Sequence, residues 1–262
     1  MYSSAELALV YKFGNARILE FPYPHFYIED VFPQEYYDTL QSNIPDPSVM
    51  IPIEQARPVQ GYKERFVLDL GEEKHRATLP QQQRDFWVEF SSWLCSGRFA
   101  GLALQKFQPY LQQRFKNGPQ PQYYNEALLV EDITKYSLGP HTDSPRKAIT
   151  MLFYLPKDLS QAHIGTSIYV PKDPNFKCPG GPHYGFDPFA RLHTMPFKPN
   201  SLFVFLKTDN SFHGVEPVTD PDTKRWLLLF DIYARLPQTQ NVGLAPAAAA
   251  PKPASANVSF KF

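Results

Sequence analysis

Apolar residues along this chain change their spacing near Asn117-Gly118-Pro119, from three- and four-residue steps to short β-rich runs. Before that break, Phe86, Phe90, Trp93 and Leu94 recur at helical steps. They predict one buried stripe on a helix over 80–93, broken at Gly97 and resumed over 99–115. Pro33-Gln34-Glu35 opens a short helix over 35–43, because proline suits the first helical turn. Alternating aromatics over 21–31 predict an extended strand, and 65–70 carries another within the charged, proline-bearing stretch 44–78. After the break, runs rich in β-branched and aromatic residues predict strands over 127–136, 148–155, 166–170, 201–206 and 225–233, each bounded by Gly, Pro, Asp or Asn.

Helical material first and many antiparallel-type strands second predict a mainly β fold with flanking helices, a β-sandwich or jelly roll. The expected organisation is one domain over 1–236. Helical support occupies mainly 35–117 and the jelly-roll core mainly 120–235, with an insertion rich in Pro, Gly and aromatics over 171–199 that suits a lid. The stretch Leu244-Ala-Pro-Ala-Ala-Ala-Ala-Pro-Lys-Pro253 is low-complexity and marks 237–262 as a flexible tail.

Composition narrows the function classes. Lys plus Arg equals Asp plus Glu at 26 each, so no global field favours nucleic acid or an anionic membrane. The N-terminus lacks the pattern of a signal peptide, and no apolar run approaches the roughly 20 residues of a spanning helix. Two cysteines, Cys95 and Cys178, do not make a disulfide framework, and a reducing cytoplasm is the natural reading.

The chemistry concentrates in His141-Thr142-Asp143 and His213. On an extended segment, His141 and Asp143 point to the same face and Thr142 to the other, where it packs or hydrogen-bonds. Gly139-Pro140 and Ser144-Pro145 hold that segment extended and end it. His213 follows the strand over 201–206 after a short connection, a rigid way to present a third ligand. Two imidazoles and one carboxylate can hold three sites on one face of a divalent metal, the arrangement of non-haem Fe(II) oxygenases. His25, His75, His163, His183 and His193 have no partner at ligand spacing; His183 and His193 lie in the insertion, within reach of a substrate.

The chain resembles the Fe(II)/2-oxoglutarate-dependent dioxygenases, in particular their prolyl-4-hydroxylase-like branch, over roughly 21–233. The resemblance rests on Tyr136-Ser-Leu-Gly-Pro-His141-Thr-Asp143, Thr150-Met-Leu-Phe-Tyr154-Leu, Gly165-Thr-Ser-Ile-Tyr, Asn200-Ser-Leu-Phe-Val-Phe with His213-Gly-Val-Glu-Pro-Val, and Lys224-Arg225-Trp226-Leu-Leu-Leu-Phe. It implies a double-stranded β-helix, the cupin-like variant of the jelly roll. It also implies Fe(II) on His141, Asp143 and His213, with 2-oxoglutarate and O2 as co-substrates. Arg225 matches the basic residue that meets the far carboxylate of 2-oxoglutarate, with two parallel hydrogen bonds available from its guanidinium. Lys224 is the neighbouring alternative. Leu227 stands where some relatives carry a serine for the same carboxylate, which leaves Tyr154, and secondly Tyr136, to complete the pocket.

The implied reaction decarboxylates 2-oxoglutarate to succinate and CO2 and hydroxylates an unactivated C–H. Asp143 argues against a halogenating variant, in which a small residue replaces the carboxylate. The substrate is left open: a polar small molecule, a sugar or amino-acid derivative, or a peptidyl residue, with Phe176, Tyr184, Phe186, Phe189 and Arg191 available in the insertion. The N-terminal helices either support the sheet or form a homodimer contact. Two other classes fit the same residues: a non-catalytic jelly-roll protein that senses a metal or carboxylate ligand, and a cupin-like metalloenzyme that does not use 2-oxoglutarate.

Overall fold

β-branched and aromatic residues with turn residues between them give short strands that must bury their faces against one another. In the computed structural model, which describes residues 3–57, 59 and 61–236, they do so in two sheets. The strands are β1 (His25–Ile28), β2 (Ile51–Pro52), β3 (Arg65–Asp69), β4 (Gln122–Ile133), β5 (Leu138–His141), β6 (Lys147–Tyr154), β7 (Thr166–Pro171), β8 (Phe189–Met195), β9 (Ser201–Leu206), β10 (His213–Val215) and β11 (Lys224–Arg235). A seven-stranded sheet runs β1-β9-β6-β11-β4-β3-β2 and a four-stranded sheet β5-β10-β7-β8. From β4 onward the chain passes back and forth between the sheets, with only β7 and β8 consecutive in one. This is the winding of a double-stranded β-helix, the mainly β, helix-flanked jelly roll expected from the sequence.

Both faces of the large sheet are covered, which explains why β11 reads as apolar throughout. Trp226, Leu228, Phe230 and Ile232 face the helical layer, while Leu227 and Leu229 face the space between the sheets. The helical layer comprises α1 (Ser4–Asn15), α2 (Gln34–Ser42), α3 (Ile53–Ala56), α4 (Glu73–Arg76), α5 (Gln81–Leu94), α6 (Gly97–Lys106) and α7 (Gln108–Phe115). Phe13, Trp87, Phe90, Phe99 and Phe107 are buried there in one cluster with Phe153 and Phe230. Each such side chain contributes about 1.5–3 kcal/mol of burial. No described helix is long and apolar enough to cross a membrane.

Several boundaries differ from those expected. Strand β1 is shorter than 21–31 because Pro22 and Pro24 remove ladder donors from its first half. The helix expected over 99–115 is two helices, broken at Phe107, with Pro109 in the first turn of the second. Within α5, Trp87 rather than Phe86 is fully buried. Helix α1 was not expected; Ser3 caps it by accepting from the Glu6 amide, and Ala5, Leu9 and Phe13 form its buried stripe. The 171–199 insertion is not wholly a lid, since its last third is β8, paired with β7. The tail expected over 237–262 lies outside the described residues.

What remains of the insertion is fastened to the strand that carries His141. The Tyr184 amide donates to the Pro140 carbonyl at 3.0 Å, and Thr142, on the face away from His141, donates to the Cys178 carbonyl at 2.8 Å. Gly180 adopts φ +126, and a Cβ there would stand 2.3 Å from the Asp143 carbonyl oxygen. Gly180→Ala is therefore expected to cost about 1–3 kcal/mol, read as a lower midpoint of chemical denaturation. An unchanged midpoint would mean that the insertion does not need this close approach.

Candidate functional site

The register of the small sheet sets His141 opposite His213 across β5 and β10. Their ring centroids are 4.3 Å apart. Each imidazole is held through Nδ1 by a backbone carbonyl two residues earlier, Gly139 for His141 at 3.0 Å and Ser211 for His213 at 2.9 Å. That leaves both Nε2 atoms directed at Asp143, at 4.0 Å from Oδ1 and 3.9 Å from Oδ2. One ligand atom from each of the three residues lies within 4.8 Å of the others, and all three residues are buried. Orientation of ligand histidines by backbone acceptors is what a metal site requires of its surroundings.

Electrostatics prepare the same group. Burial, then His213 and His183, lower the pKa of His141 well below its ordinary value, and burial likewise lowers that of His213. Both rings are thus neutral. Burial pushes Asp143 upward, but the Lys147 ammonium foremost, with the Thr150 hydroxyl, outweighs it and holds the carboxyl below its usual range. Lys147 Nζ stands 3.2 Å from Asp143 Oδ1, and Thr150 donates to Oδ2 at 2.7 Å. Two neutral imidazoles and a fixed carboxylate are a donor set suited to Fe(II).

A second charged group spans three adjacent strands of the large sheet. Arg65 on β3 and Arg225 on β11 are both register partners of Asp132 on β4. Arg65 reaches Asp132 at 2.7 and 3.0 Å, and Arg225 reaches it at 2.7 Å while also donating to the Ile164 carbonyl at 2.9 Å. Two buried guanidiniums share one buried carboxylate, a local excess of positive charge. Arg65, Arg225, His141, Asp143 and His213 line one cavity of about 400 Å³. A buried cationic excess is costly without an anion, and a dicarboxylate such as 2-oxoglutarate supplies one.

The third charged group lies further along the inner face of β11. Asp231 accepts from Lys147 at 2.9 Å, so this lysine joins Asp143 and Asp231. Burial, with Asp143 nearby, pushes Asp231 up to about 6 despite Lys147. Arg57 near the rim pairs with Asp69 at 2.9 Å and Glu126 at 3.3 Å.

The expected residues are distributed unevenly. His141, Asp143, His213 and Arg225 meet in the cavity, whereas Lys224 is exposed at the edge of β11. Tyr154 is buried, accepts from the Thr166 amide at 3.3 Å and packs on Phe197 at 4.8 Å between ring centroids. Tyr136 is buried with its hydroxyl lacking a hydrogen-bond partner, and the Arg65 guanidinium lies 4.6 Å from its ring centre. The cavity wall described above is built without these two tyrosines. His183 reaches the site from the insertion, 4.5 Å from His141 between ring centroids and 2.8 Å from the Tyr62 hydroxyl. His25, by contrast, is a buried ring whose Nδ1 contacts the Tyr23 carbonyl. Arg65, Asp132, Lys147, Thr150 and Asp231 were not expected. Their only trace in the sequence is a charged or hydroxyl residue at an inward position of an otherwise apolar strand.

No family model and no curated relative matches the sequence. Among solved structures, the chain is similar to a prolyl 4-hydroxylase from Phytophthora capsici, at 14% identity over 91% of this chain and 64% of that one, with a TM-score of 0.44. This chain thus spans less than two thirds of the length of that protein. It is also similar to the non-haem alpha-ketoglutarate-dependent carbocyclase SnoK from nogalamycin biosynthesis, at 14% identity over 92% of each chain and a TM-score of 0.46. HygX from Streptomyces hygroscopicus, solved with nickel, 2-oxoglutarate and hygromycin B, is 12% identical over 80% of this chain and 82% of that one, with a TM-score of 0.44.

The lowered pKa values of the three candidate ligands have a consequence for metal affinity. Two ordinary imidazoles would lose about tenfold in affinity between pH 7.5 and 6.0 through proton competition. Here proton competition at the two rings is weaker, so Mn²⁺ affinity by calorimetry is expected to fall by less than that tenfold over the same interval. A tenfold loss would contradict the assigned electrostatics.

Proposed function

We propose that the protein is an Fe(II)- and 2-oxoglutarate-dependent oxygenase that hydroxylates an unactivated C–H. The observation that carries this reading is one cavity holding both the neutral His141-Asp143-His213 group and the Arg65-Arg225 pair with its single shared counter-charge. His141, Asp143 and His213 would hold the metal. Arg225, assisted by Arg65, would receive the far carboxylate of 2-oxoglutarate. When bound, the metal and 2-oxoglutarate supply oxygen activation, with succinate and CO2 as products.

The residues of the chain have narrower tasks. Gly139 and Ser211 carbonyls fix the imidazole tautomers, so each Nε2 presents a lone pair to the metal position. Thr150 and Lys147 fix the plane of the Asp143 carboxylate before any metal arrives. Leu128, Leu152, Leu227 and Leu229 give the cavity apolar walls, which exclude water from the reacting centre. The insertion, through His183 and its contact with Tyr62, closes over the His141 side and would serve as part of a lid. The substrate is a small polar molecule, a sugar or amino-acid derivative, or a peptidyl residue.

His141→Ala and Asp143→Ala are each expected to abolish Fe(II)-dependent conversion of 2-oxoglutarate to succinate in a turnover assay. Retained turnover in either would end the metal assignment, and 2-oxoglutarate bound without succinate release across a broad substrate panel would favour a sensor. Arg225→Ala is expected to raise the 2-oxoglutarate requirement about tenfold or more, the worth of a charge-assisted pair of hydrogen bonds. An unchanged requirement would move the carboxylate to Arg65.

A further inference from the structure

The candidate metal ligands and the Arg65–Arg225 pair account for the deep part of the cavity, but not for its mouth. Among the described residues, the polar side chains of the cavity wall that reach solvent are Arg57, Tyr62, Ser144, Arg146, Lys147 and Tyr233. All are cations or hydroxyls, and all can donate. The carboxyls that line the cavity, Asp143 and Asp231, are buried and both joined to Lys147.

The cations at the mouth differ in how far they are already matched. Lys147 faces two carboxyls, and Arg57 faces Asp69 and Glu126. Arg146 forms no ion pair among the described residues. Its backbone is nevertheless fixed in the link from β5 to β6. The Arg146 carbonyl accepts from the Ala234 amide of β11 at 2.6 Å, and the Lys147 amide donates to the Ser144 carbonyl at 2.9 Å. An exposed, unmatched guanidinium is thus held beside Asp143 and Lys147, where a molecule entering the cavity must pass.

We propose that Arg146 is a specificity-determining residue that receives an anionic group of the substrate, a carboxylate or a phosphate. The inference rests on the oxygenase reading and names the substrate class for it. A guanidinium fork matches either anion with two parallel hydrogen bonds, and Ser144 adds a hydroxyl beside it. About 30 Å of extended strand separates Ala234, the backbone partner of Arg146, from Arg225. The substrate anion and the far carboxylate of 2-oxoglutarate therefore have separate cations. A molecule held at Arg146 can lay its carbon skeleton inward along Leu229, toward the side of the cavity that carries Asp143.

The test uses the full-length chain with saturating Mn²⁺ and 2-oxoglutarate, so that the deep arginines are occupied. Binding of propionate, ethyl phosphate, propanol and propylamine, four probes of similar size, is followed by ligand-observed NMR. One of the two anions is expected to bind more tightly than propanol and propylamine, and the preferred one assigns the group as carboxylate or phosphate. Arg146→Ala is expected to weaken that binding about tenfold or more. Arg146→Lys, which keeps the charge without the fork, is expected to fall between the two. Thermal unfolding checks the fold of both variants. Failure of both anions to bind, tighter binding of propanol or propylamine, or equal anion binding by wild type and Arg146→Ala would overturn the proposal. Mn²⁺ and 2-oxoglutarate titrations of the same samples separate the two readings. A wild-type chain that takes up neither would lose the oxygenase reading, while the Arg146 comparison would still report on the anion at the mouth.

Discussion

Charge buried inside a jelly roll must be matched by charge or hydrogen bonds, and in this protein Asp132 is the residue on which that matching turns. It is fully buried on β4, and its two neighbouring strands each bring a guanidinium to it in register. Removing the carboxylate would leave two buried cations facing each other, the case in which breaking a buried pair is strongly destabilising. Keeping it satisfies only one of them in charge. The interior is therefore stable as folded and still attractive to an anion. The same residue that permits Arg65 and Arg225 to be buried leaves the site in need of a carboxylate.

The candidate metal-binding end is solved by different means. No cation excess is needed there, because burial keeps His141 and His213 neutral and backbone carbonyls hold their tautomers. Only Asp143 carries charge, and Lys147 with Thr150 stabilises it in advance. Preorganisation of this kind removes the cost of turning ligands toward the metal at the moment of binding. It also explains why the insertion is tied so closely to residues 140–143. A displaced His141 strand would separate ligands that the β5–β10 register otherwise sets directly opposite one another.

The sequence made some of this legible and hid the rest for identifiable reasons. His141 and Asp143 were readable because period-two geometry and flanking prolines fix their directions locally. Arg225 was readable only with the motif, since β11 is apolar on both faces and alternation could not choose between it and Lys224. Burial on one side and exposure on the other now separate the two. Arg65 and Asp132 are distant in sequence and meet only through cross-strand register, which no local pattern encodes. Lys147 and Asp231 look like strand-end charges that would ordinarily be solvated. The same limit applies to β8, hidden within a proline- and glycine-rich stretch, and to the break at Phe107, where one helical pattern continued through a proline.

The distribution of charge along β11 gives the cavity a direction. At one end Arg225 belongs to a group with surplus positive charge, and about 20 Å along the same strand Asp231, paired with Lys147, adds a second buried carboxyl beside Asp143. A dicarboxylate entering such a cavity is drawn past Asp231 toward the arginines, because one carboxylate repels it and two guanidiniums attract it. The electrostatics thus favour an anion at the deep, arginine-lined end of the cavity.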